Sequence, residues 1–221
     1  MNYEIEIKSL LGLQENADTF RNTILEQGAK KEAENNQLNH YFLMGDAEML
    51  LEKASPYFDE KKFDLLKKIL TEGSNHSVRT REIDGVVKLV VKAAVDDTSS
   101  ENGIARMEFE EDVNLSLDEL DQILLDSGFE YQAKWSRKRE EYALGDVAIS
   151  LDKNAGYGYL TEFEMVVPEE GDRHQAEARI RDLMALCGVE ELSQDRLSRM
   201  FDFYNKNWRD YYGTDKVFTI E

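Results

Sequence analysis

Apolar and polar residues alternate with a period of two along much of this chain, and the pattern begins at its first strand. In the stretch Tyr3 to Lys8, Tyr3, Ile5 and Ile7 share one face while Glu4, Glu6 and Lys8 share the other, because successive side chains of an extended segment point to opposite sides. Taken alone, this is an amphipathic surface strand with a solvated outer face. The alternation returns over about 31–43, 77–83, 86–93, 104–113, 129–142, 146–153 and 157–167, which predicts strands there. Asp84-Gly85 is a two-residue hairpin turn joining two of them.

Helical spacing takes over between the strands. Asn16-Ala17-Asp18 is expected to cap a helix that runs to about Gln27 and stops at Gly28. Two helical pieces separated by Ser55-Pro56 make an inserted helical hairpin at about 45–72, expected to pack on the outside of the sheet. A capped helix covers Ser116 to Ser127, and C-terminal helices occupy about 172–210. The polar stretch Asp96 to Gly103 reads as a flexible loop. No repeat, low-complexity tract or linker divides the chain, so 1–221 is expected to form a single domain. Hairpin-joined strands with helices inserted between them predict an α+β fold with an antiparallel sheet.

One face from each strand collects the charged residues. The acids are Glu4, Glu6, Glu108, Glu110, Asp152, Glu162 and Glu164; the bases are Lys8, Arg79, Arg81, Lys88, Lys92, Arg106, Arg137 and Arg139. Lys138 falls on the other side of its strand and is expected to be solvated. If the apolar faces pack outward against helices, the charged faces point inward around a common space, and a closed β-barrel achieves this without leaving a sheet edge. An interior so rich in ions is unfavourable unless it binds something.

Composition narrows what that is. The formal charge of -19 argues against nucleic-acid backbones and anionic membranes. No apolar run approaches the roughly 20 residues of a membrane span, and the chain opens on a patterned strand rather than a signal-like segment, so a cytoplasmic location is expected. Cys187 stands alone, and His40, His76 and His174 are scattered, which leaves no soft-metal cluster. His40, on the apolar side of its strand, reads as a buried structural residue. A metal here would be a hard cation held by oxygen, Mg²⁺ or Mn²⁺, while Arg forks and Lys points suit phosphate oxygens. The expected ligand is a small-molecule polyphosphate delivered with its metal, and the chemistry this permits is phosphoryl transfer.

Glu4-x-Glu6-x-Lys8 resembles the signature of the CYTH superfamily, the triphosphate tunnel metalloenzymes, which include thiamine triphosphatases, inorganic triphosphatases and class IV adenylate cyclases. The resemblance continues through Gln37-x-Asn39-His40-Tyr41-Phe42, Arg79-x-Arg81, Lys88 with Lys92, Arg106-x-Glu108-x-Glu110, Arg137-x-Arg139-x-x-Tyr142, Asp152 and Glu162-x-Glu164. It implies an eight-stranded antiparallel tunnel, with Glu4, Glu6, Glu162 and Glu164 as ligands of the main metal. Asp152, Glu108 and Glu110 would hold a second metal or orient water, and Glu4, Glu6, Lys8 and Asp152 would form the catalytic set. Lys8, Arg79, Arg81, Lys88, Lys92, Arg106, Arg137 and Arg139 would grip a triphosphate. Departures are Leu43, where an acid often follows the Tyr-Phe pair, the length of the helical insertion, and Ser198-Arg199 in place of a common Ser-Tyr. Arg196, Arg199 and Lys206 are the alternatives for a closing basic contact. The implied activity is a metal-dependent triphosphatase; an adenylate cyclase and a catalytically silent polyphosphate-binding module are the alternatives. Monomer and homodimer both remain open.

Overall fold

The computed structural model describes residues 3–94 and 106–220. The loop expected at Asp96 to Gly103, and the start of the next strand at Ile104, lie outside the described residues. The strands are β1 (Tyr3–Gly12), β2 (Lys30–Leu43), β3 (Ser74–Ile83), β4 (Val86–Ala94), β5 (Arg106–Asp112), β6 (Glu130–Leu144), β7 (Val147–Asn154) and β8 (Gly158–Val167). The α-helices are α1 (Gln14–Glu26), α2 (Ala47–Ala54), α3 (Glu60–Glu72), α4 (Leu117–Leu125), α5 (Arg173–Leu186) and α6 (Gln194–Asn207). The architecture is α+β, as the alternating periods predict.

Among the described residues the expected closed barrel is not formed. The strands follow the order β1-β8-β7-β6-β2-β3-β4-β5, an antiparallel eight-stranded sheet with β1 and β5 at its ends. Closure would require those two strands to exchange ladder hydrogen bonds. The outer edge of β1 is engaged otherwise: the Leu192 N–H, in the connection between α5 and α6, donates to the Lys8 carbonyl at 2.7 Å.

The chain divides into two compact units, one comprising residues up to Asn36 together with those from Ser136 onward, the other Gln37–Trp135. In the first, the apolar face of β1, β7 and β8 (Ile5, Ile7, Ile149, Phe163) packs against Phe20 and Ile24 of α1 and Ile180 of α5. Phe20 meets Phe163 edge to face at 5.9 Å. The Cβ of any other residue at Gly158, where φ is +71°, would lie 2.2 Å from the Gly12 carbonyl oxygen, so the β8 entry must be glycine. Asn16 does not cap α1; its amide donates to the Leu11 carbonyl at 2.8 Å, and Leu13 takes the N-cap position without a side-chain bond.

In the second unit the outer face of the sheet carries Val78, Leu89, Val91 and Phe109, covered by Leu50 of α2 and Leu66 and Ile69 of α3. The inserted helices therefore pack on the sheet as expected. Asp84 and Gly85 both take positive φ, 47° and 88°, as the predicted turn between β3 and β4 requires. Ser116 and Glu119 close a capping box on α4.

His40 is buried as expected, its Nδ1 2.7 Å from Asp121 of α4. Asp121 also accepts hydrogen bonds from the Thr80 hydroxyl at 2.5 Å and the Tyr131 hydroxyl at 2.6 Å. Burial works against its charge, but the His40, Thr80 and Tyr131 donors overcome this and hold the carboxyl below the usual carboxylate range.

Candidate functional site

Strand register assembles the charged face of the first unit. Across β1 and β8, Glu6 lies opposite Glu164 and Lys8 opposite Glu162. Across β7 and β8, Ala148 and Ser150 face the same two glutamates, and across β6 and β7 Arg139 faces Asp152. Period-two alternation adds Glu4 and Arg137 to this face. These ten residues, eight of them charged and scattered from position 4 to position 164, thus share one side of four adjacent strands.

They are already engaged with one another. Lys8 pairs with Glu6 and lies 3.2 Å from Glu162. Arg139 donates from Nε to Asp152 Oδ1 at 2.8 Å, and from Nη2 to Asp152 Oδ2 at 2.6 Å and Glu162 Oε2 at 2.8 Å. Arg137 Nη1 reaches Asp152 Oδ2 at 3.1 Å. Asp152 is 1% exposed, and this fork of guanidinium donors supplies its hydrogen-bond partners. Burial pushes the Glu162 carboxyl up, but Lys8, Arg139 and Arg137 more than offset it and hold it below the ordinary range. Glu164 goes the other way: burial, the neighbouring charge of Glu4 and a hydrogen bond with Glu4 raise its carboxyl.

That contrast sets Glu164, raised beside Glu4, apart from Glu162, which is paired with cations. Glu4 and Glu164 repel one another, and a divalent ion between carboxylates removes such repulsion. Mg²⁺ is commonly held by one or two carboxylates plus phosphate oxygens, which fits this pair. Glu6 and Glu162 are committed to Lys8 and Arg139, and among the described residues no group of three or more acidic, imidazole or thiol side chains converges as a ready cation cage.

The second unit carries the other basic residues. Arg79, Arg81, Lys88 and Lys92 share one face of β3 and β4, and Glu108, Glu110 and Asp112 share that face of β5. Arg106 occupies the register position opposite Ala94. Lys92 pairs with Glu108 at 2.8 Å, Arg81 with Glu110 at 3.0 Å, and Lys88 with Asp112 at 2.8 Å. Three contributors were given no role from the sequence. Asn39 Oδ1 accepts from Arg81 Nε at 2.7 Å, Tyr41 places its ring 4.4 Å from the Arg79 guanidinium carbon, and Asp112 holds Lys88. Asp112 could have been found by extending the Glu108, Glu110 alternation one step.

The candidate closing cations have other engagements. Arg196 Nε donates to the Ile220 carbonyl at 2.7 Å, Arg199 pairs with Asp195, and Lys206 lies on the exposed side of α6. Leu43, at the end of β2, is solvent-exposed. Lys138 points away from the charged face and pairs with Glu34 at 2.6 Å in a half-exposed position.

The CYTH domain family model matches residues 2–198. Among solved structures, a Pyrococcus horikoshii protein is 18% identical, with a TM-score of 0.56, covering 85% of this chain and 92% of its own. A Vibrio parahaemolyticus protein assigned as an adenylate cyclase is 18% identical with a TM-score of 0.55, covering 90% and 98%. A Hippeastrum protein with a dominant triphosphatase activity is 16% identical with a TM-score of 0.50, covering 89% and 95%. No curated protein matches in sequence. At these identities the structural likeness concerns the fold.

Proposed function

The chain belongs to the CYTH domain family, and from that premise we propose that it is a divalent-metal-dependent triphosphatase. In this reading it cleaves the terminal phosphoanhydride of inorganic triphosphate or of an organic triphosphate. The observation that carries the reading is the charged face of the first unit, where Glu4 and Glu164 lie beside the cations Lys8, Arg137 and Arg139. Carboxylates that repel one another next to guanidinium and ammonium donors suit a metal together with its phosphate chain.

Glu4 and Glu164 would hold Mg²⁺ or Mn²⁺, joined by Glu6 and Glu162 once phosphate oxygens draw Lys8 and Arg139 away. The bound ion would neutralise charge on the phosphate oxygens. Lys8, Arg137 and Arg139 would fix the chain by charge-assisted hydrogen bonds, with Asp152 keeping the two guanidinium groups oriented. Hydrolysis forms a bond between a water oxygen and the terminal phosphorus and breaks the anhydride bond, leaving diphosphate and orthophosphate. The cations of the second unit, Arg79, Arg81, Lys88 and Lys92, are of the type that binds polyphosphate oxygens.

A product-resolved assay tests this. The protein is incubated with inorganic triphosphate, thiamine triphosphate or ATP, each with Mg²⁺ or Mn²⁺. Orthophosphate release that Glu4→Gln abolishes is the expected result. Cyclic AMP with diphosphate from ATP would make the protein a cyclase, and metal-independent binding without turnover would make it a polyphosphate-binding module.

A further inference from the structure

In the second unit the carboxylates of β5 form ion pairs with cations of β3 and β4. Their exposures set an order. Asp112 is 66% exposed over Lys88 at 24%, Glu108 is 46% exposed over Lys92 at 29%, and Glu110 is 27% exposed beside Arg81 at 16%. In every pair the anion is the outer partner and the cation the inner one. Arg79 is different: Ser77 accepts from its Nε at 3.2 Å and Tyr41 lies under its guanidinium, and among the described residues no carboxylate comes within ion-pair distance of it.

We propose that Glu108, Glu110 and Asp112 are exchangeable counter-anions that an incoming polyphosphate displaces, and that they fix how much charge a ligand must carry to bind. Arg79 offers the uncompensated landing point. Lys88, Lys92 and Arg81 become available only to a ligand able to outcompete a carboxylate. An exposed ion pair is worth roughly 0–1 kcal/mol, so displacing it is a small barrier for a chain that gains several charge-assisted contacts and a relatively large one for a mono- or diphosphate that gains few. Asp112, the most exposed of the three, acts on specificity through Lys88 rather than by touching the ligand. The inference rests on the reading of this protein as a polyphosphate binder.

The discriminating experiment uses the full chain in chelator, with calorimetric titration of orthophosphate, diphosphate and triphosphate. Asp112→Asn is compared with Glu111→Gln, which removes the same charge from the neighbouring position on the opposite face of β5, where Glu111 pairs with Lys62 at 2.6 Å. Asp112→Asn is expected to tighten diphosphate about fivefold and triphosphate about twofold, narrowing the discrimination between them, while Glu111→Gln changes either by less than about 1.5-fold. Equal effects of the two substitutions would assign the change to the general field of the protein and overturn the proposal, as would unchanged or weaker binding in Asp112→Asn. Wild-type turnover of triphosphate alongside either of those results would leave the functional reading standing. A wild-type protein that neither binds nor hydrolyses triphosphate would bring down both.

Discussion

Arg139 grips Asp152 through two parallel hydrogen bonds, at 2.8 and 2.6 Å, from directly opposite positions on β6 and β7. A free carboxylate waiting for a cation would behave differently from one that organises guanidinium groups. Asp152→Asn is therefore expected to destabilise the metal-free protein by about 3 kcal/mol, since it removes the buried anion shared by two half-buried guanidinium groups and leaves Arg139 with Glu162 alone. Urea denaturation in chelator measures this, and a variant as stable as wild type would show that the fork carries no weight.

The opposite sign is expected at Glu164. Burial and the Glu4 charge both oppose its ionisation, so Glu164→Gln should stabilise the metal-free protein at neutral pH by ~0.5 kcal/mol. The same substitution should erase the rise in melting temperature that Mg²⁺ or Mn²⁺ gives the wild type. Scanning calorimetry with and without metal reads both effects, and an undiminished metal response would remove Glu164 from the ligand set.

Acid stability should depend on Glu140, on the outer face of β6. Arg21 Nε and Nη2 donate to its two oxygens at 2.9 and 2.7 Å, and Tyr142 donates at 2.5 Å. Burial opposes the charge, but these donors prevail and lower the carboxyl to about 2. A depressed folded-state pKa gives stability that is complete above the ordinary carboxylate value of 4.5 and is lost as pH falls from there through about 2. Glu140→Gln should cost about 1–2 kcal/mol at pH 7 and flatten the acid limb of the stability curve. If wild type and variant lose stability in parallel between pH 5 and pH 2, another group dominates that limb.

Behind the basic face, Asp121 joins His40, Thr80 and Tyr131. Asp121→Ala would remove the acceptor that these three groups share and should lower stability by about 3 kcal/mol. Triphosphate affinity measured well below the melting transition should stay within about twofold of wild type, because His40 and Thr80 lie on the opposite face of their strands from Asn39, Tyr41, Arg79 and Arg81. A tenfold loss of affinity would show that the network positions Arg79 or Arg81.

Much of this arrangement was legible from period-two alternation. It separates the charged face from the apolar one on each strand, puts Lys138 on the far side, and marks His40 as buried. The features it could not supply depend on which strand lies beside which. Asn39 meets Arg81 and Lys88 meets Asp112 because of ladder register, and Asp121 matters because α4 lands over β2 and β3. The open sheet was illegible for the same reason: alternation constrains the faces of a strand and leaves its edges undetermined, and one backbone bond from Leu192 engages the edge of β1. At the start of α1 the sequence offered Asn16 as a cap, but the helix begins at Gln14, which places Asn16 in the first turn, where its amide donates back to the Leu11 carbonyl.

The pairing of β1 with β8 also has a consequence for the order of events during synthesis. Tyr3 finds its ladder partner at Val167, so β1 waits for more than a hundred and fifty further residues before its hydrogen bonds to β8 can form. The stretch from Gln37 to Trp135 is continuous, and β3, β4 and β5 pair with immediate neighbours in sequence, contacts of the kind that form early. The nascent chain can therefore complete the β3–β4–β5 sheet while β1 still lacks its ladder partner, and a pause in translation before β8 would leave α1 as the early cover for the apolar face of β1.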